Sequence, residues 1–531
     1  ELATVILGVA PSLLGGERIM TDAFWMILCL AGFWGLGCAI SLLIVGPDLL
    51  SKPSGGVGFM VARAELIGLS WTLGIAATSY LQFIWSLAGG KLGRSCSVTL
   101  AVGGLLLGLL AMRRAQMSPA LVSSQGNHAE PIRRRTVGDN HSTDDAFLTR
   151  VCSLIVIGLV AIAFVQTLLS PQKFWDERAY YGLKAIVLFQ DRSIDSADLA
   201  HADFVQGHPR YPLLIPLAEQ HIYALLGHVD DRLSKVIFPL MFSGMVFTFA
   251  GVMMRHIPCG TAWLGAVLLA TTPVLMPDDY GFLTGQADAP VACFEGVALL
   301  YLWDWLTSAR NGMASTSRSS VIFAAVYGAM VAFTKDEGIS HGLIRTCAFG
   351  CAALFGIIVH RRIHQQESDA RKQLSVRALI VAATALVVIP ALILTPWFQH
   401  RRHLPMTGEM NYFGRLSISS LWHGMPTLKW SVPHLIERMF GEATMWGLQW
   451  WFVALTLVLF PMRALRPAQL FLLITLSVDI AALLLAGMIA PITLEEHIGG
   501  SSHRFLMQLA PGALLFAIGQ IWVREPSHNA A

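Results

Sequence analysis

The feature that most constrains this chain is the recurrence of apolar runs long enough to cross a bilayer. Candidate spans cover 23–46, 65–88, 96–112, 147–170, 233–254, 261–277, 289–306, 319–334, 338–360, 376–398, 446–463, 467–490 and 503–523. Residues 2–14 form a shorter apolar stretch, either one more span or the stub of one. A hydrocarbon core about 30 Å thick takes roughly 20 apolar residues as helix. Inside it every backbone polar group must be paired within the protein, so a continuous apolar run reads as a helix. A transmembrane β-barrel would alternate apolar with polar residues, and these runs do not alternate. The expected fold class is an all-α polytopic membrane protein with about 13–14 transmembrane helices.

Composition agrees, with 54% hydrophobic and 13% charged residues, against about 25% charged in soluble domains. A net charge of +3 without an isolated basic block gives no reason to expect nucleic acid as a partner. The eight cysteines lie mostly in apolar runs without a CxxC pair, so neither a disulfide framework nor a zinc site is expected. The chain opens on Glu1, and no cleavable signal peptide is read in its first residues.

Three links are long: 113–146, 171–232 and 399–445. The first carries Arg113, Arg114, Arg133, Arg134 and Arg135 among Ser, Gly, Asn and Pro, the composition of a disordered cytoplasmic linker. Alternation from there places Arg255, then Arg310 and Arg318, then Arg361, Arg362, Arg371 and Lys372, then Arg463 and Arg466 on the same, inner side, together with Arg524. The links 171–232 and 399–445 then face outward with the short turns 278–288, 335–337 and 491–502. The chain divides into three regions: an accessory N-terminal transmembrane module 1–112, the linker 113–146, and a main unit 147–531.

The acidic clusters fall on the outer side: Asp176 and Glu177; Asp278, Asp279 and Asp288; Asp336 and Glu337; Glu495 and Glu496. Lys335 and Arg504 stand there too, against the positive-inside trend. "FWDERAYYGLKAIVLFQ" contains an amphipathic interfacial helix over 179–189, with Tyr180, Leu183, Val187 and Leu188 on its apolar face. Asp176 and Glu177 could cap that helix or hold a general base at the membrane surface. "GHPRYPLLIP" sets His208, Arg210 and Tyr211 in an extended turn fixed by Pro209 and Pro212, ahead of a second helix expected to lie on the membrane. Asp288 in "GQADAPVA" suits a helix N-cap or a ligand contact. Lys335 in "TKDEG" is either a snorkelling lysine or a phosphate-binding cation. Arg504, beside His497 and His503 in "EEHIGGSSHRF", has a fork suited to phosphate oxygens.

In order, side and spacing these motifs resemble the GT-C superfamily of integral-membrane glycosyltransferases, and within it the bacterial branch near protein O-mannosyltransferases and lipid A aminoarabinose transferases. "FWDERAYYGLKA" is similar to the start of that branch's first outer loop, "HPRYPLLIP" to its His-Pro-x-Tyr-Pro stretch, and "GQADAPVA", "TKDEG" and "HRFLMQLAP" to its later landmarks. The resemblance covers about 147–523. It implies a GT-C-like fold whose large first outer loop carries interfacial helices, and inverting transfer of a sugar from a polyprenyl-phosphate donor to an acceptor hydroxyl on a glycan, lipid or protein. Asp176 would be the base, with Glu177 left open as the alternative. Asp288 would position the acceptor, and Lys335 and Arg504 would face the phosphate. His208, Arg210, Tyr211, Glu337 and His497 complete the expected substrate contacts. A divalent metal is compatible, held by Asp176 and Asp288, but not required. The implied location is a bacterial inner membrane with the site facing the periplasm, amid membrane lipids. Residues 1–112 would offer a surface to a membrane-complex partner. The rival readings are an inactive scaffold of the same fold, a secondary transporter drawing on Asp479 within its span, and a polysaccharide ligase or polymerase.

Overall fold

The computed structural model describes residues 16–46, 63–117, 143–277, 280–310, 317–363, 376–406, 412–490 and 493–522. Residues 2–14, Arg133 to Arg135 with most of the linker, Asp278, Asp279, Arg371, Lys372 and Arg524 lie outside them. Among the described residues every regular element is helical. Ten helices among the described residues are long and apolar enough to cross a membrane, so the chain is an all-α polytopic membrane protein. The order begins with α1 (Gly16–Val45), α2 (Ala64–Leu87), α3 (Arg94–Met117) and α4 (Thr143–Leu169). The first long outer link comes next, with α5 (Leu183–Asp191) and α6 (Leu214–Leu226). Then come α7 (Ile237–Met253), α8 (Cys259–Ala270), α9 (Asp288–Arg310), α10 (Ser317–Thr334), α11 (Gly338–Ile363) and α12 (Val376–His400). The second long link holds α13 (Ile418–Gly424) and α14 (Leu428–Phe440). The chain finishes with α15 (Gln449–Leu459), α16 (Pro467–Ile489) and α17 (Gly500–Trp522).

All thirteen expected spans contain a helix, but three of these helices are short. Helix α8 has 12 residues and α15 has 11, rises of about 16–18 Å against a core of about 30 Å. Each is followed closely by a proline, Pro273 or Pro461, which cannot continue a helix. Among the described residues ten of the expected spans are thus long and apolar enough to cross a membrane by themselves, and α8, α10 and α15 are shorter apolar helices.

The N-terminal helices are knitted into the rest instead of standing beside it. Small residues allow backbones to touch: a Cβ added at Gly37 would meet the Ser70 carbonyl, and one at Gly68 the Gly244 carbonyl of α7. Glu65 of α2 pairs with Arg255, and Thr72 shares a hydrogen bond with Tyr327 of α10. Gln82 donates to the Leu217 carbonyl at 3.2 Å, and Gln220 to the Leu92 carbonyl at 2.7 Å. These contacts cross the expected boundary after residue 112.

The first outer link departs from expectation in two ways. Helix α6 does not lie on the membrane surface, because all thirteen of its residues are buried in protein, including Glu219, Gln220 and His221. Helix α5 buries only part of the face its apolar residues suggested, Val187 and Leu188. A π-helical turn, Glu177–Gly182, precedes it and rotates α5 relative to an ideal continuous α-helix. Tyr181, Lys184 and Ala185 turn inward beside Val187 and Leu188, while Leu183 is exposed.

Candidate functional site

Asp288, at the first turn of α9, organises the outer end of the bundle. Its Oδ1 accepts from Lys335 Nζ at 2.8 Å and from Gln508 Nε2 at 3.0 Å. Its Oδ2 accepts from Arg504 Nε at 2.9 Å and Nη2 at 2.6 Å. Such a carboxylate is worth burying only when paired this completely, and Asp288 is fully buried. Its cations reach further. Arg504 Nη2 lies 2.7 Å from Asp176 Oδ2, and Lys335 Nζ lies 3.0 Å from Glu337 Oε1. Asp176, Asp288, Lys335, Glu337 and Arg504, from four separate stretches of chain, therefore form one connected ion network.

The two neighbouring acids of the first link have different surroundings. Glu177 is wholly buried. Its Oε2 accepts from the Lys173 and Phe174 amides at 2.9 and 3.1 Å, capping the helix start from inside. Its Oε1 accepts from the Gly285 amide at 2.7 Å and lies 3.1 Å from Lys235 Nζ. Both oxygens are thus consumed by structure. Asp176 makes no capping bond, and its carboxylate is 22% exposed with Arg504 as its partner. The capping role belongs to Glu177, and the accessible carboxylate is Asp176.

Arg504 uses Nε and Nη2 on the two aspartates, and Nη1 has no partner among the described residues. Lys335 spends two of its three ammonium protons on Asp288 and Glu337. Each cation therefore retains a donor for a ligand oxygen. Burial opposes the Lys335 charge, but Asp288 and Glu337 outweigh it and hold the ammonium above its ordinary range. Burial and the neighbouring Glu337 push Asp336 upward against the pull of Arg401.

The Tyr211 ring stacks on His208 at 4.8 Å, and Tyr180 packs edge-on against His208 at 4.6 Å. Burial, then the charges of Glu337 and Asp336, raise the Tyr211 hydroxyl well above its usual value. His208 takes up a left-handed backbone, φ +48. Lys184 ties this turn down, donating to the His208 carbonyl at 2.9 Å and the Tyr211 carbonyl at 3.5 Å. Arg210 contacts the second outer link, donating from Nε to the Leu404 carbonyl at 2.7 Å. Arg401, from the start of that link, clamps Asp336 at 2.9 Å. His497 packs 5.8 Å from Tyr412.

Sequence reading missed Lys184, Lys235, Tyr280 and Gln508. Gln508 carried the clearest signal, standing one helical turn after Arg504 and so on the same face. Lys184 sits amid apolar residues where a charge needs a partner, which was a second usable signal, whereas Lys235 follows Asp230, Asp231 and Arg232 and carried none. Tyr280 lies beneath Arg504, 5.5 Å from ring centre to guanidinium, and 4.3 Å from the His503 ring. As for a metal, no group of three or more His, Cys, Asp or Glu side chains is arranged to hold one among the described residues. The Arg504 guanidinium bridges Asp176 and Asp288, so these two carboxylates as placed do not fit a shared cation.

No protein-family model matches the chain, and neither a curated protein nor a solved structure is significantly similar to it.

Proposed function

We propose that the protein is a GT-C-type glycosyltransferase acting at the outer, periplasmic face of a bacterial inner membrane. In this reading it transfers a sugar from a polyprenyl-phosphate donor to an acceptor hydroxyl with inversion. The observation that carries the reading is the meeting of Asp176, Arg504, Asp288 and Lys335 in one network with a single accessible aspartate. Asp176 takes the proton from the acceptor hydroxyl as its oxygen attacks the anomeric carbon. The bond from that carbon to the phosphate oxygen breaks, and polyprenyl phosphate leaves with the electron pair. Arg504 Nη1 and the third Lys335 proton stabilise the charge that grows on the leaving oxygen. Asp288 fixes both cations and does not itself touch the reacting atoms.

The motif resemblance supports this chemistry, and so does the membrane setting. A lipid-tailed anionic donor must be met at the bilayer surface by cations and by one base in contact with water. The decisive experiment assays purified protein in nanodiscs with a labelled polyprenyl-phosphate sugar and a panel of hydroxyl acceptors. Asp176→Asn is expected to cut transfer by about 10²–10⁴-fold, the usual contribution of a general base. Full activity in that variant would remove Asp176 as the base.

One observation favours a transporter instead: ionisable pairs within the spans, His341 with Asp479 and Arg345 with Glu295. Coupled solute flux in proteoliposomes, lost on Asp479→Asn and indifferent to Asp176→Asn, would establish that reading in place of the transferase.

A further inference from the structure

Asp288 has a fourth contact that the transfer chemistry leaves without a use, and it leads into the membrane. Gln508 Nε2 donates to Asp288 Oδ1 at 3.0 Å. A carboxylate held by two cations only accepts, so the amide must offer its nitrogen there and turn its oxygen the other way. That oxygen lies 2.9 Å from His341 Nε2. His341 Nε2 must then carry a proton, since the amide oxygen cannot donate. The opposite ring nitrogen, Nδ1, lies 2.9 Å from Asp479 Oδ1. One proton is shared across that contact, and in either arrangement Nε2 stays a donor. Phe505 stacks on the imidazole at 5.3 Å. The ring is wholly buried, and Asp479 is 1% exposed.

Other charged groups face the pair. Glu295 approaches from α9, and Arg345, on the same helix as His341, is bonded to Glu295. Placing this set inside the spans is costly, and apolar side chains would join α11, α16 and α17 at lower cost. Polar groups kept in such a place call for a role.

We propose that His341, backed by Asp479, is a positioning residue for the outer ion network. Its Nε2 proton prevents the Gln508 amide from turning over. A reversed amide would set its oxygen against Asp288 Oδ1, repel the carboxylate and release Lys335 and Arg504 from their fixed directions. The chain Asp479–His341–Gln508–Asp288–Arg504 thus carries an orientation from the spans to the accessible side of the site. In catalysis this role rests on the transferase reading. As a statement about the network it does not.

The test reads Arg504 directly. In full-length protein labelled with ¹⁵N-arginine in nanodiscs, the Arg504 Nε–H signal is assigned by its loss in Arg504→Lys, and its hydrogen exchange is timed. His341→Phe is expected to speed that exchange about tenfold or more, the order set by loosening a hydrogen bond to a charged group. His341→Gln, whose amide still donates to the Gln508 oxygen, is expected to restore most of the protection. A rescue of this kind would not occur if the ring served only as packing. Unchanged exchange in both variants overturns the proposal. If His341→Phe does not fold, Gln508→Met decides, since it cuts the link and spares the His341–Asp479 pair: unchanged exchange again overturns it. Binding of undecaprenyl phosphate to the same samples separates the two claims. Exchange that depends on His341 in a protein that binds no lipid phosphate sinks the transferase reading and leaves the positioning role standing.

Discussion

Helix α9 carries an aspartate-centred ion network at each end, and the two are built alike. At the outer end Arg504 bridges Asp288 and Asp176. At the inner end, about 24 Å along the same helix at 1.5 Å per residue, Arg255 bridges Asp304 and Glu65. The difference lies in what else each acid holds. Asp304 is 1% exposed and also takes His256 Nε2 at 2.7 Å and the Ser320 hydroxyl at 2.6 Å. Glu65 is buried and accepts from the Tyr301 hydroxyl at 3.0 Å. The inner network is closed and fastens helices α2, α9 and α10 together. The outer one keeps Asp176 and Glu337 in contact with water, Glu337 at 41% exposure. One arrangement of charges serves as a clasp where it is sealed and as a candidate reaction centre where it is open.

Four substitutions would break or sharpen this contrast. Asp176→Asn carries the largest expected effect, the loss of transfer on which the proposed function turns. Its thermal unfolding should stay within about 1–2 kcal/mol of the parent, because the pair it breaks is only part-buried and Arg504 keeps Asp288 as its partner. Arg255→Leu should behave in the opposite way. It leaves Asp304 and Glu65 buried without their cation, and breaking such a pair costs about 3–5 kcal/mol. Lower folded yield and earlier unfolding in detergent would show it, with transfer per folded molecule close to normal. If Arg255→Leu is as stable as the parent, the clasp interpretation is wrong.

Glu177→Gln falls between these two. It would set an NH₂ against backbone amides that now donate to a carboxylate, or else remove the partner of Lys235, at about 1–3 kcal/mol. Activity should fall only with the folded fraction, whereas a specific activity as low as that of Asp176→Asn would make Glu177 part of the chemistry. The smallest effect concerns Lys184. Burial, resisted by Asp336, pulls its ammonium from 10.5 down to about 7. Between those values the unfolded chain binds more protons than the folded one, so this group makes stability rise with pH across that window. Below about pH 7 both states are protonated and the full penalty of burying the charge remains. Lys184→Met should flatten the rise in unfolding temperature between pH 7 and pH 9.

Much of the architecture was legible in the sequence because spanning helices declare themselves locally. Apolar runs located each helix, and the placement of Arg and Lys in the links ordered the sides, so that Asp288 and Arg255 fell at opposite ends of the bundle as expected. Lengths were less legible, since α8 and α15 end at prolines whose effect an apolar run conceals. The buried position of α6 was hidden too: its composition suits a membrane surface, but α2 and the start of α3 cover it.

Sequence by itself determined the helical class, the division of the link residues between two opposite ends of the helices, and the small set at one end from which a site could be built. It named Asp176, Asp288, Lys335 and Arg504, with Glu337 behind them, and left Glu177 open as the alternative to Asp176. Only the tertiary structure decided that Glu177 is spent on backbone amides and Lys235 while Asp176 stays open. It alone turned Lys184 inward through a π-helical turn and linked Asp288 to His341 and Asp479. The physical reason is range. Hydrophobic burial leaves a periodic record along the chain, whereas a hydrogen bond between Glu177 and Gly285, or between Gln508 and Asp288, depends on where distant helix ends come to rest.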